Sequence, residues 1–320
     1  MYTNGRTAAL PRQVWITSLT QEGMEGATVG EVVASAVRKM ESLSSFSPDI
    51  VCLPETFHVA GLSGRQPKVA EVAETPPGPL TQPFIEFAQK HHCYVICPIY
   101  TREGDRCYNA AVLIDRQGQI MGEYRKMRPT EGEIEDGVLP GPPEAPVFEA
   151  DFGRIGVQIC FDIQWPEGWQ QLGEKGAEVV FWPSAFGGGQ MLNAMAWMHR
   201  YCVVSSTRKD RAKICDITGE ELACSGRWQS WGLSAALNLE KVLLHTWPYV
   251  QHFREIQAKY GRRLRIHTLH EEEFTLIESL SPEVEVAQVM REFGLKTHRE
   301  HLQSATQAQE AFWLECREGE

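Results

Sequence analysis

The amino-acid sequence predicts an α/β protein, built on one mixed sheet or on two sheets with helices outside. Two βαβ-like units occur, one ending at Glu55 and one carrying Cys160. Short apolar runs recur along most of the chain with helical stretches between them, but without a clean strand–helix alternation. A chain of 320 residues, 42% apolar and 23% charged, can bury a sizeable core.

Residues 13–19 read as a first strand. Over 27–43, Val29, Val32, Val33, Ala36, Val37, Met40 and Leu43 recur at helical spacing. Residues 49–54 form a buried strand that ends at Pro54-Glu55. The run Thr75-Pro76-Pro77-Gly78-Pro79 is a rigid turn, and a helix follows over 80–91. Strands over 94–100 and 109–115 are joined by a polar hairpin at 102–106. Pro, Gly and Glu crowd 124–146, a predicted long loop. A strand over 154–159 leads into Cys160, a helix over 166–175 stops at Gly176, and a strand over 177–182 is capped by Pro183. Gly187-Gly188-Gly189 forms a turn before a helix over 191–201, and strands follow at 202–206, 232–239 and 241–247. From about Tyr249 helical signals dominate. Residues 1–260 are therefore expected as the main domain, and 261–320 as a helical C-terminal extension packed on that domain or on a neighbouring subunit.

The net charge of −11 argues against sequence-independent nucleic-acid binding and against anionic membrane surfaces, both of which need clustered Lys and Arg. No apolar run approaches the roughly 20 residues of a membrane span. Residues 1–12 are polar and hold no leader-like apolar stretch. Nine cysteines at irregular spacings, without a Cys-x-x-Cys pair, fit free thiols in a reducing cytoplasm.

Cys160 stands at the carboxyl end of its strand, just before a turn and a helix, where substrate can reach it. A nucleophilic thiol needs a base and a cation. Glu55, after Leu53-Pro54 at the rim of a buried strand, fits the base. Lys126, in a loop stiffened by prolines, fits a fixed positive charge, and Glu133 lies seven residues beyond it. Taken singly, each also fits an ordinary solvated side chain. Asp151-Phe152-Gly153 spells a kinase motif without its companions. His267/His270 and His298/His301 are each spaced to share a helix face, but no Cys cluster accompanies them.

Taken together, the motifs carry a resemblance. Glu55 in Leu-Pro-Glu, Lys126 and Glu133 in Lys-x-x-Pro-Thr-x-x-Glu, and Cys160 in Gly-x-x-Ile-Cys-Phe-Asp look like the catalytic motifs of the nitrilase (carbon–nitrogen hydrolase) superfamily, in the same order. The resemblance spans about 13–247 and includes Tyr108-Asn109-Ala110 and Phe181-Trp182-Pro183-Ser184-Ala185. It implies a four-layer α-β-β-α sandwich of the nitrilase type, paired through a helical face into a homodimer or higher homo-oligomer. It also implies Glu55 as base, Lys126 as oxyanion stabiliser, Cys160 as nucleophile, and Glu133 positioning the lysine and substrate. The backbone N–H of Phe161 is expected as a second oxyanion donor. No metal or organic cofactor is required.

Phe161-Asp162 stands where nitrile-cleaving members show Trp and Glu, which favours a small linear amide or N-carbamoyl compound. Ile163 and Gln164 replace the arginines with which carbamoyl-amino-acid hydrolases clamp a carboxylate, so the leaving group is open. Trp165, Trp182 and Phe186 are expected to line the pocket. Nitrile hydrolysis, transfer of the acyl group to an amine, and a non-catalytic scaffold are the alternatives. The last is motivated by departures at 163–164 and 195–200.

Overall fold

The computed structural model describes residues 10–318, so most of the polar segment before Arg12 lies outside the described residues. The first strands are β1 (Gln13–Leu19), β2 (Ile50–Cys52), β3 (Tyr94–Glu103), β4 (Arg106–Ile114) and β5 (Ile120–Arg125). Then come β6 (Val147–Ala150), β7 (Gly153–Val157), β8 (Val179–Ser184), β9 (Cys202–Thr207), β10 (Lys213–Cys215), β11 (Glu221–Cys224) and β12 (Gly232–Asn238). Last are β13 (Lys241–His245), β14 (Leu264–Leu269) and β15 (Phe274–Ser279).

Two six-stranded sheets result, ordered β12-β1-β2-β3-β4-β5 and β11-β10-β9-β8-β7-β6. Each has a parallel centre, β1-β2-β3 in one and β7-β8-β9 in the other. The buried strands read as continuous apolar runs because helices cover the outer faces. The helix Val29–Ser42 opens on a capping box between Thr28 and Glu31. With the helix Gln82–His91 it packs Val32, Val33, Ala36, Phe84 and Phe87 against Val51, Leu53, Val95 and Ile99 of the first sheet. On the second sheet the helices Pro166–Glu174 and Gln190–His199 bury Trp169, Leu172, Leu192 and Ala196. The sheets are linked by hydroxyls: Ser18 donates to the Ser205 carbonyl, and Ser206 to the carbonyls of Leu19 and Cys52. This is the expected α-β-β-α sandwich.

Three expectations need correction. The segment 124–146 is not all loop. Ile120–Arg125 pairs with β4, and Glu131–Glu135 is a short helix capped by Thr130. The tail beyond residue 260 is not all helix, since β14 and β15 pair antiparallel over their full length. The boundary falls earlier than residue 260 for the same reason. β13 pairs with β15, from Lys241↔Glu278 to His245↔Phe274, which ties it to the tail. Two compact units follow, Val14–Leu237 and the described residues of Met1–Gln13 with Asn238–Glu320. The second has its own core of Leu244, Tyr249, Phe253, Ile256, Ile277 and Val289. Among the described residues no helix is long and apolar enough to cross a membrane.

Gly141 marks how closely the loop after β5 returns. Its N–H donates to the Lys126 carbonyl at 2.8 Å, and a Cβ built there would lie 2.2 Å from the Arg125 carbonyl oxygen. Gly141→Ala is expected to cost about 1–3 kcal/mol, as overpacking does. Gly132→Ala, with nothing within 4 Å of the added Cβ, is the control. Thermal unfolding should show a lowered Tm for Gly141→Ala alone. Equal Tm values for the two variants would contradict the packing argument.

Candidate active site

Parallel strands deliver their following residues to one end of a sheet. In the first sheet β2 ends at Cys52, and Glu55 follows. β5 runs in the same direction as β3, and Lys126 follows it. The Lys126 N–H extends the β4–β5 ladder by donating to the Asn109 carbonyl at 2.8 Å. In the second sheet, Cys160 follows β7 and Ser184 closes β8.

Lys126 is 1% exposed and Glu55 3%. The ammonium donates to Glu55 Oε1 at 2.8 Å and to Glu133 Oε2 at 2.7 Å. Burial on its own favours the neutral amine, but the negative charges of Glu55 and Glu133 outweigh it and hold the lysine above its ordinary pKa. Glu133 is prepared for this locally. Its N–H donates to Thr130 Oγ1 and its Oε2 accepts the Thr130 N–H at 2.8 Å, a capping box that fixes the carboxylate before it meets Lys126. Burial pushes the Glu133 carboxyl up, but Lys126, the Thr130 N–H and Asn109 bring it below the usual carboxylate value.

Asn109 is a member that the chemistry of the sequence did not single out. In the sequence it stands within the Tyr108-Asn109-Ala110 motif as a neutral amide, with no charge or nucleophile to mark it. Its Nδ2 donates to Glu55 Oε1 at 2.8 Å and to Glu133 Oε1 at 2.6 Å. One buried amide therefore donates to both carboxylates, and its N–H groups offset the repulsion between them.

Cys160 is 7% exposed and starts a 3₁₀ turn, Cys160–Gln164, with φ +47°. A positive φ at a non-glycine residue costs on the order of 1–3 kcal/mol and persists where surroundings enforce it. Part of that enforcement is Trp182, whose indole Nε1 donates to the Cys160 carbonyl at 3.0 Å. Burial, then Glu55, pushes the Cys160 thiol up to about 12, against Lys126, the Ser184 hydroxyl and the Ala185 N–H. Seven cysteines are buried, so burial does not distinguish Cys160; the company of Glu55 and Lys126 does.

The structure thus brings Glu55, Lys126, Glu133 and Cys160 together, with Phe161 next to the thiol in the turn. The expected pocket residues divide. Trp165 and Phe186 are half-buried, Trp165 against the Phe161 ring and under the Arg128 guanidinium, Phe186 against the Trp182 ring. Trp182 itself is fully buried with its N–H spent on Cys160, so it supports the turn and does not line an open pocket. Ile163 is 1% exposed and faces the interior. His267 lies on β14 and His270 in the turn after it, so that pair shares no helix face.

The sequence pattern of the Carbon-nitrogen hydrolase family matches residues 24–226, a stretch that contains all four groups. The chain belongs to the carbon–nitrogen hydrolase family. It is 35% identical to a Beta-ureidopropionase of Arabidopsis thaliana over 144 residues, 43% of this chain and 35% of that protein. It is 32% identical to a Citrullinase of Francisella tularensis over 117 residues, 34% of this chain and 39% of that protein. Its aligned stretch thus spans well under half the length of both relatives. Among solved structures it is similar to Saccharomyces cerevisiae Nit3, a member of branch 10 of the nitrilase superfamily, with a TM-score of 0.62, 17% identity, and coverage of 79% of this chain and 97% of that one. An amidase from Nesterenkonia sp. also has a TM-score of 0.62, at 15% identity, covering 74% of this chain and 93% of that one. These likenesses carry the fold.

A thiol raised to about 12 is protonated at neutral pH, and its thiolate fraction grows only as pH rises. Iodoacetamide labelling of Cys160, read by peptide mapping because Cys224 and Cys316 are exposed, should therefore accelerate about tenfold per pH unit from 7 to 10 without a plateau. A plateau below pH 8 would mean a preformed thiolate–Lys126 pair and contradict this electrostatic description.

Proposed function

We propose that the chain hydrolyses a non-peptide C–N bond in a small linear amide or N-carbamoyl compound through a Cys160 thioester. The observation that carries this is the buried Lys126 ammonium held between Glu55 and Glu133 near Cys160. In the attack, Glu55 takes the Sγ proton as sulfur bonds to the carbonyl carbon. The carbonyl oxygen becomes an oxyanion facing the Lys126 ammonium and the Phe161 N–H. Removing one such donor typically costs about 3 kcal/mol of barrier. The C–N bond then breaks, and Glu55 returns the proton to the departing nitrogen, releasing ammonia or an amine. Water, deprotonated by Glu55, hydrolyses the thioester and restores the thiol. The high thiol pKa fits this cycle, since the proton needed by the leaving nitrogen starts on Cys160.

The names of the relatives, Beta-ureidopropionase and Citrullinase, support an N-carbamoyl group on the substrate. The inward-facing Ile163 supplies no cation for a substrate carboxylate, which favours a neutral or amine-bearing remainder. Nine free cysteines suit a reducing cytoplasm. The helix Gln190–His199 holds no Asp, Glu, Lys or Arg and leaves Met198 68% exposed, which supports a homo-oligomer paired through that face.

Ammonia release from a panel of linear amides, N-carbamoyl amines, N-carbamoyl amino acids and nitriles tests the proposal. Turnover is expected with amides or carbamoyl compounds, and Cys160→Ala should lower it by at least about 10³-fold while remaining folded. Equal rates for wild type and Cys160→Ala across the panel would overturn it.

A further inference from the structure

We propose that Asp162 is a positioning residue, a clasp that fixes the Cys160 turn to the segment carrying Lys126. This rests on the reading of Cys160 and Lys126 as the reacting pair. Asp162 is 1% exposed and sits two residues after the thiol, inside the same 3₁₀ turn. Its Oδ2 accepts the Ile159 N–H at 2.8 Å and the Tyr124 hydroxyl at 2.7 Å. Its Oδ1 accepts the Arg128 N–H at 2.8 Å. Ile159 immediately precedes Cys160, whereas Tyr124 and Arg128 stand two residues before and two after Lys126. One carboxylate thus joins the nucleophile's turn, which belongs to the second sheet, to both sides of the lysine, which belongs to the first.

Capping of the 3₁₀ turn explains only the Ile159 contact. Nothing in that local motif requires a reach across to Arg128 or Tyr124. The Tyr124 hydroxyl extends the clasp, accepting Gln158 Nε2 at 3.1 Å. The Asp162 carbonyl accepts the Trp169 Nε1–H at 3.2 Å, which anchors the turn from the helix side. All three partners of the carboxylate are donors, so the site requires an acceptor-only group. Asparagine has nearly the same shape, yet its NH₂ would confront at least one of those donors. Asp162→Asn therefore breaks the clasp while changing packing little.

Displacement of a reacting group by about 1 Å can cost about 100-fold in rate. The test compares wild type, Asp162→Asn and Tyr124→Phe by thermal unfolding, by steady-state kinetics on a substrate found in the ammonia-release panel, and by iodoacetamide labelling of Cys160 at fixed pH. Asp162→Asn is expected to lower kcat at least about 100-fold with KM within about threefold, per folded molecule. Tyr124→Phe, which removes one donor of three, should lower kcat about fivefold to tenfold. A folded Asp162→Asn with kcat within about twofold of wild type would overturn the proposal. If Asp162→Asn does not fold, Tyr124→Phe decides, and kcat within about twofold of wild type overturns it. If wild type turns over nothing in the panel, the hydrolase reading fails separately and labelling decides the clasp. A folded Asp162→Asn should then differ from wild type at least about tenfold in Cys160 labelling rate, and an unchanged rate would overturn it.

Discussion

An ammonium group removed from water must be held by opposite charge, and in this chain Glu55 and Glu133 do that for Lys126. Much of the surrounding structure follows from this one constraint. Two carboxylates within reach of the same nitrogen repel each other, and the Asn109 amide donates to both. Glu133 has to arrive in a fixed orientation, and the Thr130 capping box supplies it. The loop beyond Lys126 has to close tightly, and Gly141 returns to the Lys126 carbonyl where no side chain fits.

Cys160 is governed by the opposite logic. Lys126 is kept charged, whereas Cys160 is kept neutral by burial and by the nearby Glu55. A resting site with a neutral thiol beside a fixed cation avoids adding a thiolate to the carboxylates already gathered there. In the proposed reaction the positive charge of Lys126 then remains for the oxyanion, which exists only during reaction, when stabilisation lowers the barrier. The left-handed backbone at Cys160 is held from the neighbouring strand β8, whose Trp182 indole donates to the Cys160 carbonyl.

That Glu55, Lys126, Glu133 and Cys160 belong to one cluster was legible in the sequence because each follows an apolar strand or sits in a Pro-rich loop with a distinctive spacing. The parallel sheet centres were legible for the same reason: buried parallel strands are continuous apolar runs. Asn109 was not, because its role depends on where β4 sits between β3 and β5, a tertiary fact. The pocket position expected of Trp182 rests on where its segment ends. The direction of its indole depends on packing that a linear pattern does not encode. In the tail, alternation at Leu264, Ile266 and Thr268 was a strand signal, but the acidic run at 271–273 and the helices on either side masked it. Once β15 is a strand, β13 has a partner in the tail, and the unit boundary moves to Asn238.

The most direct test of a charge-held cysteine site is peptide mass spectrometry of protein quenched in acid during turnover, with wild type and Lys126→Met side by side. The expected result is an acyl mass on the Cys160 peptide of wild type, its formation slowed by at least about 100-fold in Lys126→Met. Turnover without an acyl group on Cys160, or equal acylation rates in the two proteins, would contradict it.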